Sequence, residues 1–261
     1  MKRLYYDERL PIKDIAKMYH TDSNTLHDYF ILNDWEIRDH RVNSVNKDLK
    51  QDYFSSIDDP HKAYYLGLLL TDGSVRKNRK GSNRQGQIRI GLQTEDKDIL
   101  DQMRSDIGVS SELIYDNRCH GLYTLEFSSE QIFTDLSKYS VIPDKTYEVR
   151  NIPTNIPGEY LKDFLRGMYD GDGCVTFSSD MSKDVTFNFT SYYKSMVCDF
   201  RDLIDAMIGK ERHNSPSNTR AWQVSWRGYK QVVKILDELY RDADLFIKRK
   251  YLKYQQLLNR N

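Results

Sequence analysis

The sequence contains two similar eleven-residue stretches, YLGLLLTDGSV at residues 65–75 and LRGMYDGDGCV at residues 165–175. They lie 100 residues apart and share two glycines, an aspartate and a valine at matching positions. In each stretch the first glycine and a second small residue stand four positions apart, so both fall on one helical face. Small faces let two helix backbones approach closely. We therefore predict a packed helix pair that brings Asp72 and Asp172 together at its end.

The patterns that follow each stretch also repeat, so we predict an α+β fold of two tandem αββαββα repeats related by a pseudo-two-fold axis. The repeats are assigned to residues 61–155 and 156–261, each with an antiparallel sheet. Alternating apolar and polar residues predict strands at 88–93 and 185–191. The other predicted elements are helices 96–108 and 192–209, strands 113–115 and 123–127, strands 212–214 and 222–226, and helices 130–139 and 229–240.

The spacing of apolar residues within residues 1–45 predicts a small all-α domain of the helix-turn-helix kind. Apolar residues at helical spacing occupy 11–19 and 24–32, and Asp22 or Ser23 can cap the second helix. The predicted inward-facing residues are Ile12, Ile15, Ala16, Tyr19, Leu26, Tyr29 and Phe30. A helical hairpin that only packs or dimerises shows the same pattern. The polar residues 46–60 predict a linker.

The composition excludes several classes of protein. The chain has 261 residues, of which 39% are hydrophobic, enough for a large core. Its 39 basic residues balance its 39 acidic residues, so the net charge gives no sign of a nucleic-acid partner. The three cysteines form no C-x-x-C motif, and no apolar run is long enough to cross a membrane. We expect a cytoplasmic protein without a disulfide framework or zinc site.

The neutral total conceals a local basic segment. Between Val75 and Gln93 stand six basic residues and no acid, a charge that can follow a phosphate backbone. The predicted DNA-binding residues are Arg76, Lys77, Arg84, Gln87, Arg89 and Gln93 in the first repeat and Thr186, Asn188, Thr190, Arg220, Gln223 and Arg227 in the second. These sets differ, so we expect an asymmetric target, although any solvated sheet face is also polar.

Asp72 and Asp172 are candidate metal ligands. Two carboxylates held together repel each other unless a cation lies between them, and oxygen ligands suit Mg²⁺. A lone Asp-Gly pair is usually only a helix end or a turn, so the duplication is what favours a site. Gly73 and Gly173 are predicted to end the two helices in the left-handed conformation.

Both stretches resemble the LAGLIDADG motif, and residues 60–261 resemble the single-chain, two-motif LAGLIDADG homing endonucleases. The resemblance implies a monomer that cuts double-stranded DNA at a long asymmetric site with Mg²⁺ or Mn²⁺. The family's metal-binding acid corresponds to Asp72 and Asp172, with the backbones of Gly73 and Gly173 in the same metal site. The source would be a bacterial, phage or organellar genetic element.

The chain departs from the motif at two positions. The sixth motif position is often acidic, and it is Asp170 in the second copy but Leu70 in the first. The second motif position is usually small, and Arg166 stands there, where we expect it to face solvent. These departures predict two similar but unequal active sites.

The resemblance also implies a catalytic lysine near the end of each repeat. Lys145 matches the first position, and Lys250 matches the second, with Lys248 as the alternative. Such a lysine could polarise water or neutralise developing charge. A lysine in a basic tail is more often only a solvated charge.

Two other functions fit the same resemblance. The first is a DNA-binding regulator with reduced catalysis, which would typically have lost the acids or the lysines. The second is an RNA maturase that assists intron splicing, and nothing in the sequence excludes it as an added role. The retained aspartates and lysines favour the endonuclease.

Overall fold

The computed structural model describes residues 1–6, 10, 12–35, 48–76, 86–117, 121–143, 151–177 and 185–259. The chain divides into two units, Met1–Lys47 and Asp48–Asn261, each with its own hydrophobic core. Across the described ranges, no helix combines the length and the apolar character needed to span a bilayer.

The first unit contains helices α1 (Lys2–Tyr6), α2 (Ile12–Met18) and α3 (Ser23–Leu32). Helix α3 begins after Asp22, whose side chain accepts hydrogen bonds from the backbone N–H groups of Asn24 and Thr25. The core consists of Tyr5, Ile12, Ile15, Ala16, Leu26 and Phe30. Tyr19 and Tyr29 were predicted to face inward, which is wrong. Tyr19 follows the end of α2, Tyr29 flanks the narrow buried stripe of α3, and both are exposed.

The second unit contains the two predicted repeats. The first consists of α4 (Pro60–Thr71), β1 (Gly73–Arg76), β2 (Gln87–Gln93), a 3₁₀ turn (Thr94–Asp96), α5 (Lys97–Ile107), β3 (Ile114–Asp116), β4 (Leu122–Ser128) and α6 (Glu130–Ser137). The second consists of a 3₁₀ turn (Gly158–Tyr160), α7 (Leu161–Asp172), β5 (Gly173–Thr176), β6 (Thr186–Ser191), α8 (Lys194–Met207), β7 (Ser217–Asn218), β8 (Trp222–Arg227), α9 (Tyr229–Tyr240) and α10 (Lys248–Leu258).

The two sheets have the same topology. Their strand orders are β1-β2-β4-β3 and β5-β6-β8-β7, and all neighbouring strands are antiparallel. The register is equivalent as well, because Val75 pairs with Ile88 and Val175 pairs with Phe187. Alternate residues of the strands are buried, so one face of each sheet belongs to the core and the other carries polar side chains. The predicted α+β fold of tandem repeats is confirmed.

Helices α4 and α7 cross at their glycines. A Cβ atom added at Gly67 would overlap the carbonyl oxygen of Phe164 and lie 2.8 Å from the amide nitrogen of Met168. A Cβ atom added at Gly167 would overlap the carbonyl oxygen of Tyr64 and lie 3.0 Å from the amide nitrogen of Leu68. Each contact has its counterpart 100 residues along the chain. The backbones therefore touch at a pseudo-two-fold crossing, which only glycine permits.

One predicted strand is misplaced. Residues 212–214 form no strand, and the edge strand β7 lies at Ser217–Asn218. The side chain of Asn214 explains the shift. Its amide donates to the carbonyl oxygen of Ser225 at 2.6 Å, and its oxygen accepts from Lys210 at 2.9 Å. These side-chain bonds hold the segment beside β8 without ladder pairing.

Two further segments differ from the sequence interpretation. Residues 46–60 were predicted to be a linker, yet Leu49, Tyr53, Phe54 and Ile57 are buried in the core of the second unit. The basic tail contains a helix, α10, that the charge pattern did not predict. Its buried residues are Lys250 and Leu257, so a lysine occupies one of the inward positions.

Candidate active site at the paired helix ends

The two motif aspartates stand at the adjoining ends of α4 and α7. Asp72 caps α4, and its backbone N–H donates to the carbonyl oxygens of Leu68 and Leu69. Its carboxylate oxygen Oδ2 lies 3.2 Å from the place that a Cβ atom of Gly171 would occupy. Asp172 follows Gly171 in the sequence and is the last residue of α7. The end of α4 therefore lies against the last turn of α7.

Gly73 and Gly173 do not adopt the predicted left-handed conformation. Neither has a positive φ, and Gly173 is extended at φ −93° and ψ 161°. Both begin strands, where close approach excludes a side chain. A Cβ atom at Gly73 would lie 2.8 Å from the Cα atom of Leu69, and one at Gly173 would lie 2.6 Å from the carbonyl oxygen of Tyr169. Glycine is required at these positions because neither turn has room for a side chain. The backbone conformation itself does not require it.

Lys250 is buried beside the end of α7. Its ammonium donates at 2.7 Å to the carbonyl oxygens of Tyr169, Asp170 and Gly173. It also lies 3.4 Å from the carbonyl oxygen of Gly171. An ammonium has three N–H groups, so these carbonyls use its donor capacity. Its charge also complements the negative end of the helix dipole.

The pKa of Lys250 reflects this position. Burial lowers the pKa of the ammonium, and the negative charge of Asp170 is the largest influence in the opposite direction. Asp72 acts in the same direction as Asp170, so the field of the lysine reaches the end of α4. The lysine therefore supplies positive charge at the meeting point of both helices.

The carboxylate of Asp170, in the last turn of α7, is buried. Its Oδ2 atom accepts hydrogen bonds at 2.8 Å from the hydroxyl of Tyr64 and from the backbone N–H of Ile247. Its Oδ1 atom accepts from the hydroxyl of Tyr240 at 3.3 Å. Burial raises the pKa of the carboxyl, and Lys250 is the strongest of the groups that oppose this shift.

The expectation that Arg166 faces solvent is wrong. Its side chain is buried and forms an ion pair with Asp163, at 2.8 Å between the Nη2 and Oδ1 atoms. Its guanidinium also donates to the carbonyl oxygens of Leu245 and Leu239 at 2.9 and 3.0 Å. A partner three residues earlier on the helix was visible in the sequence. The two carbonyls belong to a distant segment and were not.

Solved structures of other proteins share the fold of this chain. Neither a protein-family model nor a curated protein matches the sequence. The meganuclease I-SmaMI bound to uncleaveable DNA is 14% identical and has a TM-score of 0.52; the match covers 78% of this chain and 90% of that chain. A mutant of I-SmaMI gives 13% identity and a TM-score of 0.53, with 77% and 89% covered. The chain has the LAGLIDADG homing endonuclease fold. I-SmaMI is described as a LAGLIDADG homing endonuclease and has also been solved on an uncleaved DNA target with calcium ions.

The polar face of the first LAGLIDADG sheet carries the predicted residues that the structure describes. Arg76, Arg89 and Gln93 are exposed, and Gln87 is half-buried. The sequence interpretation missed Glu126, which faces Arg89 across the sheet. Its carboxylate accepts from the Gln87 amide at 2.6 Å and lies 4.0 Å from the Arg89 guanidinium. One acid thus orients two of the candidate DNA-reading side chains.

The polar face of the second LAGLIDADG sheet is held by neutral hydrogen bonds. The amide of Gln223 donates to the side-chain oxygens of Asn188 and Ser225 at 2.9 and 3.2 Å. Thr186 and Thr190 are half-buried on this face, while Arg220 and Arg227 are exposed.

Two polar residues before β7 form hydrogen bonds within the second repeat, although His213 remains exposed. The ring of His213 bonds to Asp205 at 3.0 Å, and Asn214 bonds to β8 as described above. Lys77, Arg84 and Lys145 lie outside the described residues.

The helix ends offer few ligands to a metal ion. In the part of the chain that the structure describes, no group of three or more His, Cys, Asp or Glu residues is arranged to hold one. The acidic groups at the crossing are Asp72 and Asp172, one from each helix. A carboxylate pair completed by backbone or solvent oxygens is the ligand set of a hard cation such as Mg²⁺. The residues present therefore fit a divalent ion with open positions.

Proposed function

We propose that this protein is a site-specific, double-stranded DNA endonuclease that hydrolyses phosphodiester bonds at a long asymmetric target with a divalent ion. The proposal rests on the close packing of α4 against α7. Two aspartates stand at helix ends that touch through glycines, within a fold that solved homing endonucleases share. One chain carries both motif helices, so a monomer is sufficient.

Asp72 and Asp172 would hold the metal in two active sites, one for each DNA strand, with the backbones of Gly73 and Gly173 beside them. A bound Mg²⁺ or Mn²⁺ supplies Lewis-acid stabilisation of the phosphate and makes water a better nucleophile. Lys250 keeps a fixed positive charge next to this place, which favours the negative charge that develops on a phosphate under attack. Lys145 is proposed for the same role in the first repeat.

The two polar sheet faces would bind the DNA. Arginines on the first face suit phosphate contacts and guanine edges, while glutamine and asparagine amides suit adenine edges. The first face is charged and the second is mostly neutral, which favours an asymmetric target. The residues proposed for these contacts are Arg76, Lys77, Arg84, Gln87, Arg89 and Gln93, followed by Thr186, Asn188, Thr190, Arg220, Gln223 and Arg227.

The test is cleavage of a selected target. Sites cut by the protein are first selected from a randomised DNA library with Mg²⁺, and the best site is cloned into a plasmid. The protein should linearise this plasmid, and Asp72→Asn and Asp172→Asn should each slow cutting by about 100-fold or more because a charged ligand is lost. The exposed Asp52→Asn serves as the control. Variants at Asp72 and Asp172 that cut as fast as the parent would contradict the mechanism.

The alternatives give other outcomes in the same experiment. A DNA-binding regulator would retain sequence-specific binding without any metal-dependent cutting. A maturase would raise intron splicing in a parallel assay with the precursor RNA.

We also propose that residues 1–45 form a helix-turn-helix-like DNA-binding domain. Helix α3 supports this role because it is capped, packed through Leu26 and Phe30, and exposes Asn24, Thr25 and His27. A second DNA contact on the same chain raises affinity through effective concentration. Deleting residues 1–47 should weaken DNA binding while metal-dependent cutting persists. Failure of the remaining chain to fold would contradict an independent domain.

A further inference from the structure

The carboxylate of Asp170 connects three elements of the fold. It accepts hydrogen bonds from Tyr64 on α4, from Tyr240 on α9 and from the backbone N–H of Ile247. Ile247 is the residue from which α10 begins, and its own side chain makes no capping hydrogen bond. A carboxylate at a helix N-terminus satisfies an orphan N–H and complements the helix dipole. Asp170 therefore fixes where α10 starts.

The start of α10 determines where Lys250 points. The backbone N–H of Lys250 donates to the carbonyl oxygen of Ile247 at 3.0 Å, so the lysine stands one turn from the residue that Asp170 holds. Its ammonium then reaches the carbonyl oxygens at the end of α7. Asp170 is also the main negative charge that balances this buried ammonium. These contacts link the position of Lys250 to the carboxylate of Asp170.

The first repeat has no such carboxylate at the matching position. Leu70 replaces Asp170 there, is buried, and cannot accept a hydrogen bond. The end of α4 is therefore supported by apolar packing, whereas the end of α7 is supported by the hydrogen bonds of a buried carboxylate.

We propose that Asp170 is a positioning residue that holds Lys250 against the end of α7, so that the active site nearer Asp172 depends on it more than the site nearer Asp72. This inference rests on the proposed function for its effect on cleavage. Its structural part, the placement of Lys250, stands without DNA.

The first experiment measures the two strands separately. A duplex with the selected target is labelled on each strand in turn, and Asp172→Asn and Asp72→Asn assign each strand to an aspartate. Asp170→Asn should slow the strand assigned to Asp172 about ten-fold more than the other, because a misplaced group costs rate locally. Nicked DNA should accumulate. Equal slowing of both strands would overturn the proposal.

Asp205→Asn is the matched control for loss of a buried carboxylate. Asp205, on α8 of the second repeat, is also fully buried and accepts from Trp226 Nε1 at 2.6 Å. Its variant should leave the ratio of the strand rates unchanged. If Asp170→Asn does not fold, Tyr64→Phe removes one hydrogen bond to Asp170 and should shift the ratio about three-fold in the same direction.

The second experiment needs no cleavage. The folded protein is acetylated with acetic anhydride, and the modification rate of each lysine is read by mass spectrometry. Lys250 should be protected in the parent and modified at least ten-fold faster in Asp170→Asn, whereas Lys234, bonded to the carbonyl oxygen of Ile208, should not change. Equal protection of Lys250 in both proteins would overturn the positioning role. If Lys250 becomes reactive in Asp170→Asn but the parent cuts no DNA, the positioning role stands and only the proposed function is refuted.

Discussion

The motif helices α4 and α7 share a backbone arrangement but bury different side chains. The fully or nearly buried pairs at matching positions are Ala63 with Asp163, Leu66 with Arg166, and Leu70 with Asp170. Helix α4 is apolar at all three positions, and α7 is charged at all three. The close crossing therefore constrains only the glycines and leaves the surrounding chemistry open.

The charges of α7 reach one segment of the chain. Arg166 binds the carbonyl oxygens of Leu239 and Leu245, and Asp170 binds the N–H of Ile247. Burying charges costs solvation energy and seldom adds net stability compared with apolar packing. Their benefit here is directional, because they fix the chain between α9 and α10. Apolar contacts such as those of α4 would not specify that path.

The largest expected effect comes from substituting the glycines at which α4 and α7 cross. Gly67→Ala and Gly167→Ala each place a Cβ atom into the backbone of the opposite helix. Overpacking against backbone cannot be relieved by a rotamer change, so each variant should lose about 3 kcal/mol of unfolding free energy or fail to fold. Urea denaturation followed by circular dichroism measures both.

Gly158→Ala is the control, because nothing lies within 4 Å of its Cβ position. It should unfold within about 0.5 kcal/mol of the parent. A large difference between Gly67→Ala and Gly167→Ala would contradict the symmetry of the crossing.

The next largest effect comes from the buried ion pair that distinguishes α7 from α4. Arg166→Leu installs the residue of α4 and leaves Asp163 buried without its ion-pair partner. Removing one member of a buried pair should cost about 3–5 kcal/mol of unfolding free energy. Asp163→Ala with Arg166→Leu removes both charges and should cost less than Arg166→Leu alone.

A double-mutant cycle from urea denaturation gives the coupling between Asp163 and Arg166. We expect at least about 1 kcal/mol, as for residues in direct contact. A double variant that is less stable than Arg166→Leu would refute the view that the ion pair dominates.

The smallest effect concerns a contact that joins the two repeats. His61, near the start of α4, bonds through Nδ1 to Asp106 at 3.0 Å and through Nε2 to Asp244 at 3.1 Å. Burial alone would lower the pKa of His61, but these two carboxylates outweigh it and raise the pKa above 6.5. Hydrogen bonds from Tyr65 and His61 overcome the effect of burial and lower the pKa of Asp106 below 3.8.

The pH dependence follows from these directions. The raised pKa of His61 stabilises the fold below pH 6.5, and this contribution is lost as pH rises through the folded pKa. The lowered pKa of Asp106 stabilises the fold above pH 3.8, and this contribution is lost as pH falls through the folded pKa. Between pH 5.5 and 8.5 the melting temperature of the parent should fall by roughly 2 °C more than that of His61→Gln. Parallel profiles would show that the histidine does not link the repeats.

Much of the fold was predictable because its signals are local. The strand alternation of Ile88, Ile90 and Leu92 and the duplicated Gly67 and Gly167 are readable within short windows, and the structure confirms both. The edge strand β7 was not, because the side chain of Asn214 overrides the backbone pattern.

The repeat, the small helix faces and the two motif aspartates can be read from the sequence, because they depend only on residue type and spacing. The environment of these aspartates depends on tertiary packing. Lys250 meets Tyr169 from 81 residues away, and Ile247 meets Asp170 from 77 residues away. Such contacts depend on how α9 and α10 pack against α7. No local pattern encodes that path, and it makes the two otherwise matching helices unequal.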